Sequence, residues 1–479
     1  MPRSTAGTAR ATGKHSKLAQ TYRRFAEVDA PKISPLYERL ARALSESPEA
    51  LHAIESAPAR KRNPPLILAA LHHLALTYQA PTLTTTYKAA ASTATTASTA
   101  AAASTTTAAP TAAGAPTVAA APTTAGASTA AAASTTTAAS AAAAGSATAA
   151  APATAAGSTT TAGSTTAAVS HVSTNVDVAA GSDAAADFNV AAGSNVAASV
   201  DLPALTDLAV DAAIRTLVEM TDAVVAVVAQ RKVRANVLGN HAVLYPAIAE
   251  VARRAGAGAV GLIDVGCSAG FNLNVDRARI NYGNGQTLGD PSSPVQVSAS
   301  VVGDRPIPRH AMPEVVARIG IDLEPIDTRD ADEAQWLRAC VPPDQPDRIA
   351  RLEGELELAA SAPPFLMQGD KVDLLPDALA RVPADALPVV TTTWALSDLP
   401  LESRLRFLQC LDAAATNRPI AWVSVEGVGV APAFPTFGDR PASGHSIIGL
   451  AVFNHSTLNA KAVGRCWLRG QMLAWLADS

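Results

Sequence analysis

The stretch AVGLIDVGCSAGFN, residues 259–272, decides the fold of this 479-residue chain. An apolar run reaches Asp264, a tight glycine turn follows, and helix-forming sequence begins after it. Gly266 suits the positive φ of the turn, and Gly270 lets the backbone approach a ligand closely. Unpaired N–H groups at the start of the next helix favour an electronegative ligand group. The stretch therefore predicts a loop that holds a nucleotide-like cofactor, although a purely structural strand-to-helix turn would need the same residues.

The spacing of the two glycines bears on which cofactor is held. Gly266 and Gly270 form Gly-x-x-x-Gly, whereas dinucleotide-binding folds carry Gly-x-Gly-x-x-Gly. The spacing therefore disfavours NAD and FAD, and with them an NAD-linked oxidoreductase.

Short apolar runs recur after this stretch and alternate with helical segments. The runs are ARIGIDLEP at 317–325, PFLMQGD at 364–370, LPVVTTTW at 387–394 and IAWVSVEG at 420–427. Apolar strands separated by helices indicate a parallel sheet that is covered on both faces. SIIGLAVFNH at 446–455 and AVGRCWLRG at 462–470 predict a final antiparallel pair. We therefore expect a Rossmann-like α/β domain with a seven-stranded type of sheet over residues 256–479.

Helical patterns occupy the chain on both sides of a low-complexity tract. In residues 18–88, Ser34-Pro35 and Ser47-Pro48 are helix start signals, because serine caps and proline presets φ. Helical periodicity returns over 201–255, and we expect the two halves to form one helical subdomain that covers the sheet as a lid. Residues 89–200 are mostly Ala, Thr and Ser, so ordering them would cost entropy with little burial. We predict that this insertion and residues 1–17 are disordered; a mucin-like stalk has the same composition as the insertion.

Charge and cysteine content limit the class of function. A net charge of -4 gives no general attraction to nucleic acids or acidic membranes, and no apolar run is long enough to span a bilayer. The cysteines are too widely spaced for a metal site or a disulfide framework, and they are Cys267, Cys340, Cys410 and Cys466. We expect a cytoplasmic protein with a small-molecule substrate and no metal, nucleic-acid or membrane partner. The sequence leaves the oligomeric state open.

Acidic residues stand where the second and third predicted strands end. A carboxylate at Asp322 can accept two charge-assisted hydrogen bonds from a ribose diol, and Asp370 is placed to accept from an adenine amino group. In a parallel sheet, both positions fall at the carboxyl edge, where such folds bind ligands. Each acid also has a structural alternative, because Asp322 can solvate a strand end and Asp370 can cap the helix that holds Leu374 and Leu375.

Two resemblances rest on these and neighbouring motifs. The ordered run DVGCSAG, GIDL, GD and LLP resembles class I S-adenosylmethionine-dependent methyltransferases. SPLYERLARAL at 34–44, VGCSAGFNLNVDR at 265–277, GIDLEPID at 320–327 and WVSVEGVG at 422–429 resemble more closely an uncharacterised, mainly actinobacterial family, domain of unknown function 2332. This second likeness covers residues 18–80 and 205–476. That family has no assigned reaction to carry over.

The methyltransferase resemblance implies a role for each site residue. The methionine-facing loop would consist of Asp264, Gly266, Ser268 and Gly270. Asp322 would be the ribose acid and Asp370 the adenine contact, and S-adenosylmethionine would be the cofactor.

The sequence departs from the methyltransferase pattern at two places. Ser268 replaces the usual middle glycine, and Asp322 lies much further from Asp264 than the roughly 20 residues of a simple βαβ unit. The segment between them reads as an inserted hairpin, with Asn284-Gly285 as its turn and Val295, Val297 and Val301 as strand residues.

Candidates for the reaction itself follow the fourth strand. Trp394 can place an aromatic face beside the cofactor or its charged sulfur. Asp398 can orient a substrate or take a proton, but a helix cap before Glu402 is the simpler interpretation of that residue. Further upstream, Asn236, His241 and Tyr245 can cover the pocket or pack against each other. We therefore carry two hypotheses, a methyltransferase of unknown small-molecule substrate and a catalytically silent cofactor-binding or interaction module.

Overall fold

The computed structural model describes residues 5–105, 202–234, 238–455 and 457–477, with side chains from 17 to 94 and from 204 onward. Our prediction of disorder for residues 106–200 lies outside the described residues. The same holds for residues 1–4 of the N-terminal tail.

Twelve α-helices and twelve strands are found in the described ranges. The helices are α1 (Thr5–Val28), α2 (Pro35–Glu46), α3 (Pro48–Glu55), α4 (Pro64–Leu76), α5 (Pro81–Thr105), α6 (Leu202–Glu219), α7 (Thr221–Gln230), α8 (His241–Ala255), α9 (Ala331–Ala339), α10 (Pro346–Ser361), α11 (Leu375–Ala380) and α12 (Leu401–Ala414). The strands are β1 (Ala259–Val265), β2 (Arg279–Asn281), β3 (Thr287–Gly289), β4 (Gln296–Ser298), β5 (Ser300–Val301), β6 (Glu314–Asp322), β7 (Phe365–Gln368), β8 (Leu387–Thr393), β9 (Ile420–Gly427), β10 (Ser446–Asn454), β11 (Thr457–Trp467) and β12 (Met472–Trp475).

The main sheet has the order β5-β12-β11-β10-β9-β8-β1-β6-β7. The strands from β9 to β7 pair in parallel, and β10 and β11 form the predicted antiparallel pair. Apolar clusters lie on both faces, one with α8 and the other with α11 and α12. The prediction of a mostly parallel, doubly covered α/β sheet is therefore confirmed.

The sheet has nine strands, so the expected seven-stranded type is wrong in its count. The two additional strands, β5 and β12, pair in parallel through Met472 and Ser300 and through Leu473 and Val301. Strands of two and four residues are too short to produce a recognisable alternation in the sequence. Their pairing joins segments that are far apart along the chain, which a local pattern does not reveal.

The inserted hairpin between the first two parallel strands is present. β2 and β3 pair antiparallel around a turn closed by Tyr282 N to Gln286 O at 3.0 Å, and Asn284 Oδ1 accepts from Gln286 N. β4 adds in parallel to β2, which makes a separate three-stranded sheet. The hairpin and β4 therefore fold beside the main sheet and leave β1 and β6 adjacent to each other. Of the expected strand residues, Val297 lies in β4, Val301 lies in β5 of the main sheet, and Val295 precedes β4.

The helix start signals near the N-terminus act as predicted. Ser34 Oγ accepts from Tyr37 N at 2.9 Å, and Ser47 Oγ accepts from Ala50 N at 3.2 Å. These helices share one apolar cluster with α6 and α7, so both sides of the low-complexity tract contribute to it. The cluster also takes in Trp336 of α9.

Two boundaries of the predicted disorder differ from the structure. Residues 5–17 belong to α1, and residues 89–105 belong to α5. In α5 the cause is local, because alanine is the strongest helix former. The hydroxyls of Ser92 and Thr93 are satisfied within the helix by bonding back to Lys88 O and Ala89 O. Ala90 is also buried in the described part of this helix.

We expected residues 201–255 to belong to the helical subdomain, but α8, which ends at residue 255, packs on the sheet. Its buried residues, among them Val243, Ile248 and Val251, share a cluster with Val260 and Leu262 of β1. The helix therefore packs on the sheet and not with α6 and α7. Within the described ranges, no helix is long and apolar enough to cross a membrane.

A linker replacement tests the division between the described helices and the tract. Replacing residues 106–198 with a short flexible linker should leave the midpoint of thermal unfolding nearly unchanged, because Ala, Thr and Ser bury little apolar surface. Extending the replacement back to residue 89 should lower the midpoint, because it also removes Ala90 from its buried position on α5. Circular dichroism melts of the two variants and the parent chain measure this. A large drop for the 106–198 replacement would contradict our interpretation.

Candidate functional site

The candidate site lies where the parallel part of the sheet changes direction. The chain passes from β1 to β6 and β7 on one side, then crosses to β8 and β9 on the other. In such sheets a crevice forms outside the carboxyl ends of the strands at this switch point, and ligands bind there. We call the end of the sheet where β1, β6, β7, β8 and β9 finish the carboxyl edge.

Asp264 is the acidic side chain at the centre of this edge. It is 0% exposed, and it lies next to Thr391 of β8 and Gly320 of β6 in the sheet register. Its Oδ1 accepts from Thr391 Oγ1 at 2.7 Å, and its Oδ2 accepts from Asn272 Nδ2 at 3.1 Å. Burial raises the pKa of Asp264 to about 7, although these two hydrogen bonds oppose the rise. The carboxyl group is therefore part of the protein interior and titrates near neutral pH.

The glycine loop after β1 has the positive φ angles expected of it. Gly266 has φ +77°, Gly270 has φ +74°, and Ser268, in the position of the usual middle glycine, has φ +52°. A serine in the left-handed region is uncommon and costs some strain. Ser268 N donates to Asp322 Oδ2 at 3.0 Å, which holds the loop in this conformation.

The helix that follows the loop differs from the expected one. Phe271–Arg277 is a short 3-10 helix, interrupted at Asn274, and not an α-helix. The chain must turn into β2 directly afterwards, and the side chain of Asn272 is used for the contact with Asp264. Gly266 N and Cys267 N both donate to Ile321 O of β6. The loop therefore directs several of its N–H groups to its own fold, and the expected helix N-terminus offers less to a ligand.

The space directly above the first glycine is filled by two other side chains. A Cβ atom at Gly266 would lie 2.9 Å from Cβ of Ala395 and 3.4 Å from Nζ of Lys371. Lys371 Nζ also lies 3.4 Å from Ala395 O. The loops after β7 and β8 therefore close over the glycine loop at this point. Lys371 is flexible at its far end, whereas Ala395 is fixed by its backbone.

Asp322 ends β6 and connects two loops. Its Oδ2 accepts from Ser268 N, and its Oδ1 accepts from Glu324 N, each at 3.0 Å. The residue is half-buried. Each carboxylate oxygen has a further lone pair after these bonds. Asp322 thus shapes the glycine loop and retains acceptor capacity for further hydrogen bonds.

Asp370 follows β7 and is exposed. Its Oδ1 accepts from Val372 N at 2.8 Å and from Asp373 N at 3.1 Å. These are the bonds of a residue that caps a turn, whereas the structural alternative was a cap of the helix that holds Leu374 and Leu375. That helix, α11, has Leu374 at its N-cap position. The turn leads into α11. An adenine contact at Asp370 would have to use the oxygen that the cap leaves available.

The two candidates for the reaction lie in the loop after β8. Trp394 has φ +55°, its Nε1 donates to Ser446 Oγ at 2.8 Å, and Arg469 lies 5.2 Å from its ring centroid. One face of the ring is therefore already covered by a cation. Asp398 is exposed in the same loop. The cap position of α12 is Pro400, so Asp398 is not the cap of this helix.

Glu426 is a site residue that our sequence analysis missed. It stands near the end of β9, is 1% exposed, and its Oε1 accepts from Ala395 N at 3.0 Å and from Leu396 N at 3.1 Å. Its Oε2 has no hydrogen-bond partner among the described residues. Burial raises the pKa of Glu426 to about 7, and the bonds from Leu396 and Ala395 oppose that rise. The signal was present in IAWVSVEG, where an acid closes an otherwise apolar strand.

Asn272 and a buried pair near α8 were also missed. Besides Asp264, Asn272 Nδ2 donates to Thr393 Oγ1 at 3.2 Å, and its Oδ1 accepts from Asn240 N at 2.8 Å. His241 and Glu355 are both fully buried, with Nε2 and Oε1 2.8 Å apart. No local pattern signals this pair, because 114 residues separate its members.

Three residues in and before α8 were expected to cover the pocket or to pack against each other, namely Asn236, His241 and Tyr245. Asn236 lies outside the described residues. His241 is buried beside Glu355, and the hydroxyl of Tyr245 accepts from Met312 N at 3.4 Å, so both residues are packed into the fold.

The structure brings the predicted cofactor residues to one edge of the sheet. They are Asp264, Gly266, Ser268, Gly270, Asp322 and Asp370. Asp264, Ser268 and Asp322 are linked through hydrogen bonds or adjacent strands, whereas Asp370 stands further out on the surface. Among the described residues, no group of three or more His, Cys, Asp or Glu side chains is arranged to hold a metal ion.

The fold defines an α/β protein with a large, mostly parallel sheet, and the candidate site residues stand at the carboxyl edge of that sheet. A family model described as an uncharacterized protein conserved in bacteria, domain of unknown function 2332, matches residues 19–146 and 127–475. The chain belongs to this family, as its motifs predict. No curated protein and no solved structure matches the chain.

The buried acid at the centre of the edge predicts a pH-dependent stability. Because burial raises the pKa of Asp264 to about 7, the folded protein keeps a proton that the unfolded chain releases at lower pH. Its contribution to stability is present below about pH 4 and is lost as the pH rises through about 7. Asp264→Asn cannot ionise, so its free energy of unfolding should fall less over this range, by on the order of 4 kcal/mol.

Urea denaturation at a series of pH values measures this difference. Asp385→Asn, which changes an exposed acid in the turn before β8, is the matched control and should follow the parent chain. If Asp264→Asn also follows the parent chain, the proton is not held at this position.

Proposed function

We propose that this chain binds S-adenosylmethionine at the carboxyl edge of its sheet and transfers the methyl group to a small-molecule substrate. The observation that carries the proposal is the link between the glycine loop and Asp322. Ser268 N donates to the carboxylate that ends the neighbouring strand. This arrangement supports a site for a nucleoside whose ribose lies between the first two parallel strands.

The side chains at the edge fit part of such a cofactor. Asp322 has one lone pair on each oxygen available for the two ribose hydroxyls, since each oxygen accepts one backbone N–H. Lys371 is the cation above the glycine loop and can pair with the carboxylate of the cofactor. Asp370 would accept from the adenine amino group with the oxygen that its cap leaves available.

When bound, S-adenosylmethionine supplies a methyl group on a positively charged sulfur. The task of the protein is then to position the substrate in line with this group and to exclude water. Trp394 can contribute the face of its ring that Arg469 does not cover, and Asp398 is exposed and within the same loop. The buried Glu426 fixes that loop through the N–H groups of Ala395 and Leu396. The loop after β8 is therefore held in position by the fold itself, before any ligand binds.

A specific observation favours the alternative, a catalytically silent module. Ala395 and Lys371 close over Gly266, which is where the methionine part of the cofactor would have to lie. With this closure in place, the fold is retained without turnover. Calorimetric titration with S-adenosylmethionine and S-adenosylhomocysteine distinguishes these cases. Binding with methyl transfer into a cell extract supports the enzyme, binding without transfer supports the silent module, and no binding of either ligand rejects both.

The ribose contact gives a sharp prediction. Asp322→Asn keeps the shape of the side chain and one oxygen for Ser268 N, but it removes the charge and one acceptor. We expect it to weaken binding of S-adenosylhomocysteine by roughly 1.5 to 3 kcal/mol, which is about tenfold to more than a hundredfold. Asp327→Asn is the control, because this acid lies in the same loop and pairs with Arg329 on the surface. Equal affinities of the two variants for S-adenosylhomocysteine would show that Asp322 does not contact the ligand.

The adenine contact is tested by two neighbouring acids. Asp370→Ala should weaken binding of S-adenosylhomocysteine by roughly 1.5 to 3 kcal/mol in the folded fraction. Asp373→Ala removes a surface partner of Arg406 and should leave the affinity unchanged. Both affinities come from calorimetry, and the stability of each variant is measured separately. Because Asp370 caps a turn, a loss of stability with unchanged affinity would assign it to capping alone.

A further inference from the structure

A cavity lies between α4, α5 and the start of α10. Its volume is about 170 Å³, and an apolar cavity of about 150 Å³ is already large enough to hold benzene. The lining is mainly apolar and includes His72, Ala75, Leu76, Tyr87, Ala91 and Ile349. None of the described lining residues belongs to the carboxyl edge of the sheet. The cavity is therefore separate from the proposed cofactor site.

The inner wall of this cavity contributes aromatic and apolar surface. The rings of His72 and Tyr87 meet edge to face, with centroids 5.8 Å apart. His72 Nδ1 contacts Ala339 O at 3.3 Å, and Thr84 Oγ1 donates to Ala75 O at 2.6 Å, so these two polar side chains of the wall have partners in the fold. Burial lowers the pKa of His72 to about 4, so its imidazole is neutral at neutral pH. The part of a ligand that enters the cavity therefore has to be apolar.

Lys88 is the charged residue of the lining, and it is exposed. Its Nζ donates to the hydroxyl of Tyr78 at 3.2 Å and lies 4.9 Å from the centroid of that ring. Among the described residues, no acid forms an ion pair with Lys88. The cavity thus combines an apolar interior with one positive charge at its exposed side. We call this side, formed by Lys88 and Tyr78, the mouth.

Tyr78 occupies the position after α4 where glycine is usual. It has φ +56°, its N donates to Ala75 O at 3.2 Å, and Gln79 N donates to Leu74 O at 3.0 Å, which is the pattern of a helix that ends on a left-handed residue. A bulky side chain in this region is strained. The side chain is 66% exposed, so burial does not offset the strain. Strained residues cluster at ligand sites, and this one places a phenol against Lys88 at the mouth.

We propose that this cavity binds a small aromatic carboxylate, with its ring in the apolar interior and its carboxylate on Lys88 Nζ and the Tyr78 hydroxyl. The volume fits one unsubstituted ring, and His72 and Tyr87 offer aromatic surface to it. The single ammonium group complements a single negative charge. Because the Tyr78 hydroxyl accepts from Lys88, its own proton is available to the carboxylate. This site does not depend on the binding of S-adenosylmethionine.

Benzoate is the probe, and its affinity for the full chain is measured by ligand-observed NMR titration at low ionic strength. Benzoate should bind in a saturable manner. Acetate should bind more than tenfold more weakly, because it lacks the ring that buries apolar surface. Benzyl alcohol keeps the ring without the charge and should bind about twofold to fivefold more weakly, since an ion pair at the surface contributes little.

Two variants of α5 locate the benzoate in the cavity. Ala91→Leu fills the space with a strong helix former and should abolish binding. Ala89→Leu adds the same side chain to the same helix at a residue that does not line the cavity, and it should bind benzoate like the parent chain. Circular dichroism shows whether both variants are folded.

The mouth is tested by charge and by strain. Lys88→Gln should weaken benzoate about twofold to fivefold, whereas Lys32→Gln, which removes an exposed charge elsewhere among the N-terminal helices, should not. Tyr78→Gly relieves the left-handed strain and should raise the midpoint of thermal unfolding while it weakens benzoate binding. A merely structural role of Tyr78 would leave the affinity unchanged.

Any of four results would overturn the proposal. They are the absence of saturable benzoate binding, acetate binding as tightly as benzoate, unchanged affinity in Ala91→Leu, and equal affinities of Lys88→Gln and Lys32→Gln. Because these titrations contain no S-adenosylmethionine or S-adenosylhomocysteine, their outcome is independent of the proposed function.

Discussion

The burial of Asp264 is the constraint on which the centre of this protein depends. A carboxyl group with no solvent contact, near the end of β1, the middle one of the five parallel strands, must be hydrogen-bonded or neutral. Thr391 on one neighbouring strand and Asn272 beyond the glycine loop satisfy it. Because Asn272 also bonds to Thr393 and to Asn240, the acid fixes the positions of β1, β8 and the start of α8 together.

Two other acids near strand ends also accept hydrogen bonds that hold a loop at the carboxyl edge. Asp322 at the end of β6 accepts the N–H of Ser268 in the loop after β1, and Glu426 near the end of β9 accepts two N–H groups from the loop after β8. In each case the acid of one strand holds the exit loop of its neighbour. Backbone N–H groups in tight loops need such partners, since they cannot join the sheet. The acids that suggest a ligand site are therefore also structural elements of that site.

The helical part near the N-terminus is joined to the sheet domain through the segment around α9 and α10. Asp344 accepts from Ser34 Oγ at 2.6 Å and from Leu36 N at 3.0 Å, so it helps to cap α2 across a long separation in sequence. Trp336 of α9 lies in the apolar cluster of the N-terminal helices. Residues that follow β6 thus anchor the helices, and α10 continues from them to Glu355, which contacts His241 at the start of α8.

The sequence by itself determined the features that depend on short stretches of chain. Apolar runs placed β1, β6, β7, β8 and β9, the serine-proline pairs placed the starts of α2 and α3, and glycines placed the loop after β1, because each signal is a property of a few consecutive residues. The tertiary structure alone decided which distant groups meet. The pairing of β5 with β12, the bond from Ala395 N to Glu426, and the buried contact of His241 with Glu355 have no local signal. They form because strand register and helix packing bring these residues together, and burial then requires each polar group to find a partner.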